Sequence, residues 1–261
     1  TGLIVSSFAG QGLVTLSLAL AVMLGADVGT SLMAVVFSFD LSWLSPLLIF
    51  TGVVLFISRQ ATPVGRFGRV LIGLGLMLLA LRLVGESTAI IVQAPAVKAL
   101  LASLASDVLL EITVGAALTV VAYSSLAIVL LTATLASSGA IPMDVALGLT
   151  LGANLGSGVL AVLATAKSPV VVRQVPIGNL VFKVVGVLAA APLIGLWLRH
   201  VRPLLGDPAT AVVMFHLGFN LAVALVFIGL TPMVARLVES WLPKQDQALV
   251  AGRPHHLDPS A

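Results

Sequence analysis

Leu151-Gly152-Ala153-Asn154-Leu155-Gly156-Ser157-Gly158 decides the reading of this chain, because the stretch occurs twice. The earlier copy is Leu24-Gly25-Ala26-Asp27-Val28-Gly29-Thr30-Ser31, 127 residues upstream and reached without a gap. The register runs back through Ala19-Leu20 over Ala146-Leu147, Gly12 over Gly139 and Ala9 over Ala136. Each copy sets an amide or carboxylate and a hydroxyl among glycines, inside an otherwise apolar run. Unpaired polar groups are costly in hydrocarbon. The motif therefore predicts a broken helix whose polar atoms face a cavity. Two such breaks in matching halves point to a transporter site near the bilayer midplane. Glycines at this spacing also suit close helix packing, and that alternative stays open at this level.

Composition agrees with a membrane setting. Of 261 residues, 59% are hydrophobic and 9% charged, and mean hydropathy is +1.18. A soluble domain carries about a quarter charged residues. The chain has no cysteine, which excludes disulfides and thiolate metal sites. The net charge of +3 comes from basic residues placed singly, so no nucleic-acid footprint is present. Trp43, Trp197 and Trp241 stand near the ends of apolar runs, where interfacial rings are expected. No charged n-region or cleavage site precedes the first apolar segment. With Thr1 already inside the first repeat, the chain reads as lacking the start of its first half.

Three regions follow. Residues 1–110 form the first half and a connector. They hold a hairpin turning at Gln11-Gly12 and a helix over 13–37, broken near Gly25 to Gly29. An apolar helix over 46–58, with Ser42 as a candidate cap, and another over 70–84 complete this half. The short loop 59–69 carries Arg59, Arg66 and Arg69 and is expected on the cytoplasmic side. Arg82 and Glu86 are four apart and can pair on one helix face. Residues 111–242 form the second half, with apolar segments over 112–135, 143–165, 175–198 and 209–230 and a turn at 137–142. The tail, 243–261, is polar and proline-bearing and reads as disordered.

The polar residues inside these segments are the candidates for chemistry. Serine hydroxyls both donate and accept. Helix N-termini favour an anion and helix C-termini a cation. Tyr123-Ser124-Ser125-Leu126, the turn at 137–142 and then 152–158 have the sequence of a helical hairpin followed by a broken helix. Ser124 and Ser125 bonding back to helix carbonyls is the plain alternative. Lys183, a charge within an apolar segment, needs a partner, and Asp27 is the one expected. No Ser–His–Asp set, metal cluster or carboxylate pair is evident, so the chain is not read as an enzyme.

In combination these residues resemble the type II sodium–phosphate cotransporters. That family carries two inverted repeats, each with a Gln-Ser-Ser-Ser hairpin and a Gly-Ala-Asn-Ile-Gly-Thr-Thr stretch. It also shows an Arg followed by His-x-x-Phe-Asn. Here Arg173 is followed by Asn179-Leu180-Val181-Phe182-Lys183, and His216-Leu217-Gly218-Phe219-Asn220 keeps the pattern intact. The resemblance covers roughly residues 5 to 235, and the first Gln-Ser-Ser-Ser portion would precede Thr1. The PhoU-like tail of some relatives has no counterpart in 244–261.

The resemblance implies an all-α polytopic membrane protein of two inverted-topology repeats with re-entrant helical hairpins and broken helices. It would lie in the bacterial cytoplasmic membrane and carry phosphate inward with sodium by alternating access. Substrate and ion binding would fall to Tyr123, Ser124, Ser125, Asn154, Ser157, Asp27, Thr30 and Ser31, supported by Asn179, Lys183, His216 and Asn220. Sodium, the coupling ion and sole cofactor-like species, would sit at Asp27, Thr30, Ser125 and Asn154. The implied partners are phosphate, sodium and the bilayer, with a homo-oligomer left open. The departures are Tyr123, Leu126, Asp27, Gly158 and Lys183. They leave room for another anion, for proton coupling, or for a channel-like or structural protein.

Overall fold

The computed structural model describes residues 1–39, 43–91 and 107–243; for 81 and 84–91 only the backbone is described. The described elements are helical. They are α1 Gly2–Gly10, α2 Leu16–Ser38, α3 Leu44–Ser58, α4 Pro63–Ile91, α5 Val108–Ala122, α6 Ser125–Ser137 and α7 Met143–Ala164. After these come α8 Val170–Ala190, α9 Ile194–His200, α10 Pro208–Phe227 and α11 Thr231–Trp241. Five stretches are long and apolar enough to cross a bilayer: Leu16–Ser38, Pro63–Ala80, Met143–Ala164, Val170–His200 and Pro208–Trp241. The outer faces carry exposed apolar side chains such as Phe50, Val121 and Leu225, as lipid contact requires. The chain is therefore an all-α, polytopic membrane protein.

The repeat read from sequence returns as a repeated turn. α1 and α2 are joined through Gly12 at φ +72°, and α6 and α7 through Gly139 at φ +70°. Only glycine reaches this left-handed region without strain. The same bonds close both turns. Gln11 N–H donates to the Ser7 carbonyl at 3.0 Å and Leu13 N–H to Phe8 at 3.0 Å. Their counterparts are Ser138 to Thr134 at 3.0 Å and Ala140 to Leu135 at 2.9 Å.

The glycine motifs themselves are not broken. α2 runs unbroken through 24–31 and α7 through 151–158, which corrects the expected breaks. The polar side chains find acceptors within their own helices. Thr30 Oγ1 donates to the Ala26 carbonyl at 3.0 Å, Ser31 Oγ to Val28 at 2.8 Å and Ser157 Oγ to Asn154 at 2.7 Å. A hydroxyl satisfied this way needs no break. In α7 the glycines admit a neighbouring backbone. A Cβ on Gly152 would overlap the Ile112 carbonyl oxygen, and one on Gly156 would lie 2.6 Å from that of Ala116. Close packing of α5 on α7 is thus the use of the second motif. The equivalent Gly25 and Gly29 have no neighbour within 4 Å of such a Cβ among the described residues.

The helix break lies upstream instead, inside the apolar segment 112–135. Asp107 caps α5 by accepting from Leu109 and Leu110 N–H at 2.9 and 3.2 Å. α5 ends where Tyr123 turns left-handed, at φ 55° and ψ 22°. Ser124 Oγ then accepts from Ala127 N–H at 3.1 Å and starts α6. Elsewhere α4 begins at Pro63, so the basic loop is shorter than 59–69, and α11 forms a separate amphipathic end. Ser42, the Glu86 side chain, most of the connector (92–106) and most of the tail (244–261) lie outside the described residues.

Two stability outcomes follow from this geometry. Gly152→Val should lower the unfolding free energy by about 1–3 kcal/mol, the cost of overpacking, whereas Gly25→Val should be close to neutral. At the break, Tyr123→Val should cost about 1–2 kcal/mol, because a β-branched residue is strained in the left-handed region. Tyr123→Gly should be neutral or stabilising. Thermal unfolding of detergent-purified protein reads both pairs.

Candidate functional site

Two polar clusters lie inside the apolar bundle, and residues of the repeated motif take part in both. The first is ionic. Lys183 of α8 has a side chain only a few per cent exposed and donates from Nζ to Asp27 Oδ1 of α2 at 2.9 Å. The same ammonium donates to Ser157 Oγ of α7 at 2.6 Å. An unpaired charge at this depth costs several kcal/mol, so the partner is obligatory. The pairing expected between Asp27 and Lys183 is present, and one side chain ties both motif helices to α8.

The second cluster is neutral. Asn154 Nδ2 donates to the Thr150 carbonyl at 3.0 Å, which fixes the orientation of its amide. The same nitrogen lies 3.0 Å from His216 Nδ1, and Asn220 Nδ2 lies 3.4 Å from it. Asn220 Nδ2 also donates to Asn154 Oδ1 at 3.0 Å and to the His216 carbonyl at 2.9 Å. An amide NH2 can only donate, so Nδ1 is the acceptor and the imidazole carries its proton on Nε2. That Nε2 is buried and has no hydrogen-bond partner. Asn179, one turn before Lys183, is likewise buried with its Oδ1 unpartnered. The clusters meet through Ser157, which accepts from Lys183 and donates to the Asn154 carbonyl at 2.7 Å.

A cavity of about 570 Å³ opens beside this junction. Ser157 forms part of its wall with Ser6, Tyr123, Thr165 and Pro176. Ser124, Ser125 and Asn154 are not among the lining residues of this cavity. Ser124 is spent as a helix cap, and Ser125 is half-buried in the first turn of α6. Thr30 and Ser31 bond within α2. Tyr123, 74% exposed, is part of the cavity wall. Sequence reasoning misses Ser6, whose only signal is a hydroxyl within an apolar run; it is buried in α1. Among the described residues no group of three or more His, Cys, Asp or Glu could hold a metal ion.

The Na+/Pi-cotransporter family model matches residues 1–86 and 91–235. The chain is 46% identical over 261 residues to the putative inorganic phosphate export protein YjbB of Escherichia coli K12, covering all of this chain and 48% of that protein. It is 44% identical, with the same coverage, to the YjbB protein of Salmonella typhimurium LT2. It is 25% identical to the uncharacterized protein YqeW of Bacillus subtilis 168, over 92% of this chain and 78% of that one. The chain thus spans about half the length of the YjbB proteins it matches. No solved structure matches it.

These relatives correct the functional expectation. Sodium-coupled phosphate uptake does not stand, because relatives 44–46% identical across the whole of this chain are named putative inorganic phosphate export proteins. Sodium as coupling ion falls with it. The structure supplies a physical reason: Asp27, the one charged group of the expected sodium site, is already neutralised by Lys183. The spanning helices and bacterial relatives make this a multi-pass protein of the inner membrane. By the family match over most of its length, the chain belongs to the Na+/Pi-cotransporter family.

Proposed function

We propose that this chain forms the membrane pathway of a phosphate exporter. One observation carries the reading. Buried hydrogen-bond donors converge where the two repeat motifs meet, and the His216 Nε2–H is without a partner. Phosphate is rich in acceptors and matches such donors. The seam has no dense arginine cluster, so it can bind the anion and let it go. The names of the YjbB relatives supply the direction.

Energetics are compatible with export. An anion leaving a negative-inside cell moves down the electrical gradient, worth about 2.3 kcal/mol per charge per 100 mV. A phosphate dianion then gains about 4–5 kcal/mol without any coupling ion. Substrate choice has a basis in the unpartnered pair of groups. Asn179 Oδ1 is an acceptor and His216 Nε2–H a donor. Hydrogenphosphate offers both P–O⁻ and P–OH, whereas sulfate offers no donor.

The architecture proposed with this function follows the type II resemblance. Two halves, 1–110 and 111–242, form inverted repeats, with α6–α7 as a re-entrant hairpin entered through the break at Tyr123. The matching turns at Gly12 and Gly139 support it. Ser124, Ser125, Thr30 and Ser31 are then groups that a second conformation brings into play. Ser157 and Tyr123 face the phosphate path from the cavity wall, and Asn220 holds Asn154 and His216 in place.

Efflux of radiolabelled phosphate from loaded proteoliposomes, in sodium-free potassium buffer, tests the reading. Wild type should release phosphate, and excess sulfate should not slow the release. H216A and N154A should reduce the rate by about tenfold or more at equal protein content, the loss expected when buried polar partners are left unmade. Unchanged efflux in both variants moves the pathway elsewhere.

A further inference from the structure

Within this chain the two motif residues at matching positions, Asp27 and Asn154, are held by matching partners. Asn154 pairs with Asn220, the last residue of His216-x-x-Phe219-Asn220, at 3.0 Å. Asp27 pairs with Lys183, the last residue of Asn179-x-x-Phe182-Lys183, at 2.9 Å. One motif is thus closed by a neutral amide pair and the other by a carboxylate–ammonium pair. The ionic version has its own accommodation. A Cβ on Gly158 would lie 3.2 Å from Lys183 Cδ and 2.9 Å from Leu180 Cδ1, so the glycine leaves a channel for the lysine stem. The ammonium then reaches past its own pair to Ser157 Oγ of the other motif helix.

We propose that the Lys183 ammonium is a tethered cation, permanently occupying the seam between Asp27 and Ser157 and making the protein independent of alkali metal ions. Its two ligands are a carboxylate oxygen and a hydroxyl oxygen, the hard donors that a small cation takes. Truncating the lysine removes the charge but leaves that oxygen pair facing the emptied stem channel. Asp27 is then an uncompensated anion in an apolar bundle, the situation that draws in a free cation. Lys183 is accordingly a specificity-determining residue: it sets which ions the protein ignores. The inference rests on the phosphate-export reading only for its consequence in transport. The occupancy of the seam does not depend on what is carried.

The experiment compares thermal unfolding of the purified full chain in choline, potassium, sodium and lithium chloride at equal ionic strength. Wild type should show one Tm in all four salts. K183A should unfold earlier in choline and regain at least half of the loss in sodium or lithium. D27N/K183N, which copies the neutral Asn154–Asn220 pair, should fold and lose all salt preference. If K183A yields no folded protein in choline, folded protein recovered in sodium alone supports the tethered cation. Failure in every salt while D27N/K183N folds overturns it, as does a wild-type Tm that itself rises with sodium. In efflux assays, K183A should lose about tenfold or more in choline, as expected for an uncompensated buried charge, and recover in sodium. Wild-type protein that moves no phosphate, with the salt pattern intact, refutes the export reading and leaves the tethered cation standing.

Discussion

A charge buried in an apolar bundle must be met by another, and the arrangement of this protein's centre follows from that constraint. The Lys183 ammonium meets the Asp27 carboxylate across from it on a different helix. The pair therefore fixes the distance between α2 and α8 at the depth of the motifs. Ser157 brings α7 to the same nitrogen, and its bond to the Asn154 carbonyl hands the constraint on to the histidine cluster. Three helices are registered at one depth by a single side chain. No aliphatic contact could specify their relative heights as narrowly, because apolar packing has no preferred donor or acceptor.

Around that centre, backbone proximity does the work that hydrophobic driving force cannot do in lipid. α5 and α7 approach until carbonyls fill the space a side chain would take, at Gly115, Gly152 and Gly156. α3 and α4 do the same through Gly52, Gly68 and Gly75, and Ser45 Oγ donates to the Gly75 carbonyl at 2.7 Å. Small residues at helix contacts are the general solution where lipid tails compete equally for apolar surface. The glycines that look like hinges in the sequence are mostly contact surfaces.

That distinction marks the limit of what the sequence discloses. The repeat, its offset, the turn at Gln11-Gly12 and the turn at 137–142 are all legible, because each depends on local chemistry that glycine and apolar periodicity report directly. The Asp27–Lys183 pair is legible too, since a lone charge in an apolar run demands an opposite one. The place of the helix break is not. Glycine-rich motifs suggest flexibility, yet the left-handed residue is Tyr123, an exposed aromatic between the end of α5 and the Ser124 cap of α6. Nor can a sequence show that the hydroxyls of Thr30 and Ser31 are spent on the preceding turn of α2. The export direction named for the YjbB relatives escapes the sequence for a different reason: hydrogen-bond donors and acceptors carry no sign of which way a substrate leaves.

The fixed tautomer at His216 has a consequence of its own. A histidine relays protons by taking one at one ring nitrogen and releasing one from the other. Here Nδ1 faces two amide NH2 groups that can neither supply a proton at ordinary pH nor accept one from the ring. The imidazole is a dead end in any chain of hydrogen bonds across the membrane. On the export reading proposed above, a pathway bordered by this imidazole passes an oxyanion while offering hydrogen ions no relay through the ring. On that reading, surplus anion leaves the cell without short-circuiting the proton-motive force that other membrane machinery depends on.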